Sequence, residues 1–166
     1  MLMKANVDQN PDVTKLPSLE SGGLYLLVAD DSKEFDVALQ RVAVLAKQNL
    51  ANVGLLYVID QDDFSHWNFV QNKINTDKRA EAEKMLWDIA DRLYKMTGQV
   101  AGFYIKEGKT RQQILDVLSN DSNIRGLVLG ARDMARNPLV KYFANKGLSS
   151  LRVPLIIIPE KAKPLI

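Results

Sequence analysis

Residues 124–159, IRGLVLGARDMARNPLVKYFANKGLSSLRVPLIIIP, decide the reading of the fold. An apolar run over 124–130 ends in Gly130, a basic segment with helical character follows, and a second apolar run over 153–158 closes the stretch. The same alternation extends upstream. Further apolar runs stand at 24–29 (LYLLVA), 53–59 (VGLLYVI) and 99–105 (QVAGFYI), so five strands are predicted.

Helical patterns fill the intervals. Phe35, Leu39, Val42 and Ala46 recur at spacings of three and four, one face of a helix for which Ser32 is the expected N-cap. A second helix is expected over about 76–97, capped by Thr76 or Asp77, with Ala82, Met85, Leu86, Ile89, Ala90 and Leu93 inward. Two shorter ones follow, over about 110–120 with Ile114, Leu115 and Leu118 inward, and over about 138–150. Strands that are apolar on both faces and alternate with helices describe a mostly parallel sheet covered on two sides. The expected class is therefore α/β: five mostly parallel strands with helices on both faces, a Rossmann-like sandwich. Residues 1–22, with Pro11, Pro17 and Gly22 among polar residues, read as an extended arm, 23–160 as one α/β domain, and 161–166 as a tail.

A chain of 166 residues is long enough to bury one substantial core. Its 46% hydrophobic and 25% charged residues are those of an ordinary globular protein, and no apolar run reaches the ~20 residues of a membrane span. The absence of cysteine excludes disulfides, thiol catalysis and thiolate metal sites, and fits a reducing compartment; a cytoplasmic location is expected. A net charge of +2, with no arginine-rich run, argues against a nucleic-acid partner.

Ligands of open parallel sheets bind outside the carboxyl ends of the strands, where the strand order reverses. The first predicted strand ends in Asp30 and Asp31 and the second in Asp60, with Asp62 and Asp63 close behind. The third ends at Lys106, near Lys109 and Arg111, and the fourth at Gly130, near Arg132 and Arg136. Acidic ends are thus expected on one side and basic ends on the other. Arg132 and the N–H groups after Gly130 are the candidates for holding a small anion. An Asp30, Asp31 and Asp60 cluster has oxygen ligands for a hard cation, but no chelating motif supports it, so no metal site is assigned. The single histidine, His66, lies beside Phe64, Trp67 and Phe69 in the long connection 60–75, where it reads either as a titrating switch in a recognition patch or as part of a packed loop.

These blocks resemble the universal stress protein family. LYLLVADDSKEFDVAL, residues 24–39, is similar to the family's opening strand and turn, with Asp30 on the position of an Asp that approaches the nucleotide. Val58, in LLYVID, falls on a Val that lines the adenine pocket. IKEGKTRQQILDVLSNDSNIRGLVLGA, residues 105–131, is similar to the block that leads into the family's phosphate loop, G-x2-G-x9-G-S/T. Gly130 matches the first glycine of that loop. Asp133 stands on the second, and Phe143 and Ala144, or in a second register Lys141 and Tyr142, stand on the closing pair.

The resemblance implies a non-catalytic stress-response protein that dimerises through strand 153–158. The broken glycine pattern implies that the ATP site is lost, so no cofactor is expected, although ATP or AMP remains the alternative ligand. The expected vestigial pocket holds Asp30, Val58, Gly130 and Arg132. Two other classes compete. A phosphoacceptor receiver needs an Asp at the end of its third strand, where Lys106 stands here, and a nucleotide-dependent hydrolase or ligase needs a phosphate loop and a base, neither of which is found. No catalytic residue is assigned.

Overall fold

The computed structural model of the chain describes residues 22–30, 32–60, 71–133 and 136–161, with the backbone alone over 71–75. Most of the expected arm, Asp31, the aromatic cluster around His66 and most of the expected tail lie outside the described residues. The elements alternate as β1 (Leu24–Val28), α1 (Lys33–Gln48), β2 (Asn52–Ile59), α2 (Gln71–Thr97), β3 (Gly102–Glu107), α3 (Thr110–Asn120), β4 (Ile124–Ala131), α4 (Pro138–Phe143), a short 3-10 turn (Leu148–Ser150) and β5 (Leu155–Pro159).

All five strands join one parallel sheet in the order β3-β2-β1-β4-β5. The chain steps outward from β1 to β2 and β3, then returns across β1 to β4 and β5. The crevice between β1 and β4 is therefore the point where the strand order reverses.

Several boundaries differ from those the sequence predicts, each for a local reason. Gly98, at φ 72, ends α2 and delays β3, which runs from 102 to 107 rather than from 99 to 105. Pro154 has no N–H, so the paired part of β5 starts at Leu155. Helix α2 starts at 71, five residues early, because no glycine or proline interrupts 71–76, and Thr76 and Asp77 ride on its exposed side. Helix α4 stops at Phe143 instead of running to 150: the chain turns at 144–147, and Gly147 N–H donates to the Tyr142 carbonyl. Gly147 lies so close to the Tyr142 ring that a Cβ there would stand 2.5 Å from it.

The core forms two layers. Leu27, Val53, Leu55 and Val128 point to the face covered by α1 and α2, where they meet Phe35, Leu39, Val42, Leu86, Ile89 and Leu93. Leu24, Leu26, Leu56, Leu127 and Leu129 point to the other face and meet Ile114, Val117 and Leu118 of α3 with Val140 and Phe143 of α4. Burying each such side chain contributes about 1.5–3 kcal/mol. On the second face Tyr104 donates its hydroxyl to Asp121, and burial, reinforced by that carboxylate, raises its pKa well above the ordinary phenol value. Near the open edge of β3, Trp87 of α2 meets Phe103 edge to face with ring centroids 5.0 Å apart.

Helix α1 seats its first turn directly on β4. A Cβ at Gly130 would lie 2.8 Å from the Glu34 carbonyl oxygen, which is backbone and cannot swing aside. Gly130→Ala is expected to push α1 off the sheet and to lower stability by about 1–3 kcal/mol, the usual cost of overpacking. Urea unfolding followed by circular dichroism checks this; an unchanged midpoint would show that the helix gives way freely.

Candidate functional site

Asp30 leaves β1 at the reversal point. Its Oδ1 accepts the Ser32 N–H at 2.8 Å, and the Ser32 hydroxyl in turn accepts the Phe35 N–H at 3.1 Å, so one carboxylate and one hydroxyl turn the chain into α1. The Ser32 cap stands as the sequence predicts. Asp30 and Val58 do come together: with Val28, Ala29, Tyr57, Met85, Thr110 and Leu139 they line a hollow of about 370 Å³. Its walls are mixed: Val28, Ala29, Val58, Met85 and Leu139 are apolar, while Asp30 supplies an acceptor and Thr110 and Tyr57 hydroxyls. A second hollow of about 310 Å³ continues along β2 past Asp60, Lys78 and Glu81, sharing Tyr57, Val58 and Met85.

Gly130 and Arg132 are placed differently. Gly130 serves the α1 contact, and its carbonyl accepts from Asn137 Nδ2 at 3.1 Å. Arg132 lines a separate hollow of about 530 Å³ at the ends of β4 and β5, with Glu34, Asp133, Arg136, Asn137, Pro159, Glu160 and Lys161. There it is 77% exposed and its Nε lies 3.4 Å from Glu160 Oε2. The expected division into an acidic and a basic side is also corrected. Because β3 lies at one edge and β4 beyond β1, basic ends flank an acidic centre. Strand β3 itself ends at Glu107 rather than Lys106, and Lys106 pairs with Asp116 at 3.8 Å.

Asn137, which the sequence reading passed over, organises the loop after β4. Its Oδ1 accepts the N–H groups of Leu139 and Val140, both at 3.1 Å, while its Nδ2 holds Gly130. The signal was present: Asn directly before Pro is a common helix start, since Pro at the first helical position lacks the N–H that would otherwise need a partner. Neighbouring donors are taken as well. Arg136 and Asn137 N–H donate to the Asp133 carbonyl, and Lys141 N–H to the Asn137 carbonyl. From Arg136 to Lys141 every backbone N–H is paired within the chain. Phe143 does not face this loop; it is fully buried in the core, so it does not obstruct a ligand. Tyr142 is covered by Arg111, whose guanidinium carbon lies 4.6 Å from the ring centroid.

Among the described residues no group of three or more acidic or histidine side chains converges as a metal site, and no helix is long and apolar enough to cross a membrane.

No protein-family model matches this sequence, and no curated protein does. Solved structures do match, and they share the universal stress protein fold. A universal stress protein from Lactobacillus plantarum is 18% identical, with 82% of this chain and 97% of that one aligned at a TM-score of 0.68. A protein of the universal stress protein family from Burkholderia pseudomallei is 21% identical over 84% and 98% of the two chains, at a TM-score of 0.64. A family protein from Arabidopsis thaliana with AMP bound is 13% identical over 84% and 93%, at a TM-score of 0.60. The fold of this chain is thus that of the universal stress proteins, a parallel five-stranded α/β sandwich.

Replacing Asn137 removes both a cap and a bond to β4. Asn137→Ala is expected to cost about 1–2 kcal/mol, and Asn137→Asp, which keeps the cap acceptor, distinctly less. Equal losses in thermal or urea unfolding would mean that the cap is not what holds this loop.

Proposed function

We propose that this chain acts in a stress response by binding and self-association, without catalysing a reaction, and that it has lost the ATP site that its resemblance to the universal stress proteins suggests. The observation that carries the reading is the loop after β4. Phosphate is held in such loops by free backbone N–H groups approached closely over glycines. Here the donors from Arg136 to Lys141 are committed to Asp133 and Asn137, and Asp133 places a negative charge where the second glycine would stand. The cytoplasm is the compartment this reading assigns, in keeping with a chain free of cysteine.

A second reading keeps an adenine nucleotide. It is favoured by the hollow that joins Asp30 to Val58 beside β1, and by the AMP bound to the Arabidopsis thaliana protein of the same fold. A small anion, on the first reading, goes to Arg132, where it competes with Glu160 for the guanidinium.

Self-association is assigned to β5, which forms one edge of the sheet. The Pro154 carbonyl accepts from Leu127 N–H, and Glu160 N–H donates to the Ala131 carbonyl, so even-numbered residues of the strand face β4. Leu155, Ile157 and Pro159 therefore face outward, and Pro159 has no N–H. Two outward donors, at Leu155 and Ile157, are left to pair with a second copy across a two-fold axis, and such a contact closes after two subunits.

Calorimetric titration with ATP and magnesium is expected to show no saturation below the millimolar range, and micromolar affinity would decide for the nucleotide reading. Titrating inorganic phosphate into the native protein and into Arg132→Ala locates the anion: the variant should lose the weak binding, and equal affinity in both would place it elsewhere. Sedimentation equilibrium over a range of concentrations is expected to give about twice the 18.6 kDa chain mass. A single species at the chain mass throughout would remove the dimer.

A further inference from the structure

Strand β3 ends the sheet on the side away from β5 and has neither proline nor bulge, two features that blunt natural edges: Gly102–Glu107 is proline-free and its register with β2 is unbroken. Gly108 N–H donates to the Ile59 carbonyl, so even-numbered residues of β3 turn their backbone groups to β2. The N–H and C=O groups of Phe103 and Ile105 therefore turn outward. Among the described residues no strand pairs with them.

Both faces of the sheet present chemistry beside this edge. On the α2 face Trp87 leans on Phe103 yet is 66% exposed, and Tyr94, two turns along the helix, is 56% exposed. Ion pairs accompany them: Lys95 meets Asp91 at 2.6 Å, and Arg79 is shared by Glu83 at 3.5 Å and Glu107 at 3.8 Å. On the α3 face Lys106 meets Asp116 at 3.8 Å, and Asp121 accepts the Tyr104 hydroxyl. Arg152 reaches the Asp121 carbonyl rather than its carboxylate. Each of the bases Arg79, Lys95 and Lys106 is thus already engaged, while Asp121 and one of the two partners of Arg79 have no base of their own. The margin carries an excess of negative charge.

We propose that the open edge of β3 receives an extended segment of another protein, one in which apolar and basic residues alternate, as an added strand. Backbone bonds to Phe103 and Ile105 supply the pairing, and the alternation sorts the side chains. Apolar residues of the segment fall on the α2 face, against Trp87 and Phe103, and basic ones on the α3 face, beside Asp116 and Asp121. Charge decides between partners. A second copy placed on the same edge about a two-fold axis would set the acidic excess against itself, whereas a basic segment relieves it.

The probe is a capped hexapeptide of alternating valine and lysine, titrated into the isotope-labelled full chain and followed by backbone amide resonances. A peptide of alternating valine and glutamate is its acidic counterpart. The lysine peptide is expected to shift the Phe103 and Ile105 amides and to slow their exchange with solvent about tenfold, and the glutamate peptide to bind about tenfold more weakly. Trp87→Ala, a change at an exposed position, should weaken the lysine peptide about fivefold and leave the circular dichroism spectrum as it is. Shifts confined to other parts of the chain, equal affinity for the two peptides, or native affinity in Trp87→Ala would overturn the proposal. So would an Ile105 amide already protected in the free protein: protection that rises with protein concentration gives the edge to a second copy, and protection at every concentration gives it to the chain itself.

Discussion

Strand β1 is bound on both edges, to β2 and to β4, and buried on both faces, and everything else in the molecule is arranged around that constraint. A strand so placed leaves no backbone group for water, and its two parallel neighbours are reached by crossovers whose helices cover both faces. The chain meets that demand by moving outward on one side of β1 and then returning to the other. The return makes the crevice beside Asp30. The site is thus a by-product of topology, and its chemistry depends on what the loops at that crevice leave unpaired.

On the β4 side the described loop leaves little unpaired from Arg136 to Lys141. A loop rich in glycine keeps its N–H groups free and so holds strain and exposed donors until a ligand arrives. The loop after β4 takes the opposite course, with an asparagine that both caps a helix and ties back to the strand end. A donor spent on such a local bond is not at the same time free for a ligand. On the β1 and β2 side the hollow around Val58 mixes apolar side chains with the Asp30 carboxylate and the Thr110 and Tyr57 hydroxyls.

The elements were legible in sequence because each depends on near neighbours. Apolar runs mark the five strands, and Ser32 announces α1 three residues before the N–H it caps. Boundaries slipped where a single residue acts through geometry: Gly98 delaying β3, Pro154 shortening β5, and Gly147 folding α4 back against Tyr142. The candidate site was half legible. Asp30 and Val58 share a hollow because consecutive strands pair, whereas Arg132 belongs to another hollow, which only the pairing of β4 with β5 creates. Gly130 was visible as a special position, but the reason for it, a helix carbonyl 2.8 Å from where its Cβ would be, is a contact between residues nearly a hundred positions apart.

The edge-to-face contact between Trp87 and Phe103 sits at the opposite margin of the sheet from β5. Strand β3 is held by one ladder, to β2, so parting it from the sheet breaks one ladder where parting β1 would break two. Rims of this kind open more readily than centres. An indole that is 66% exposed and leans on a ring of that very strand changes its surroundings when the rim lifts, before the core notices. The molecule thus carries its own optical gauge of partial opening, one that reads fraying at the margin separately from collapse of the whole.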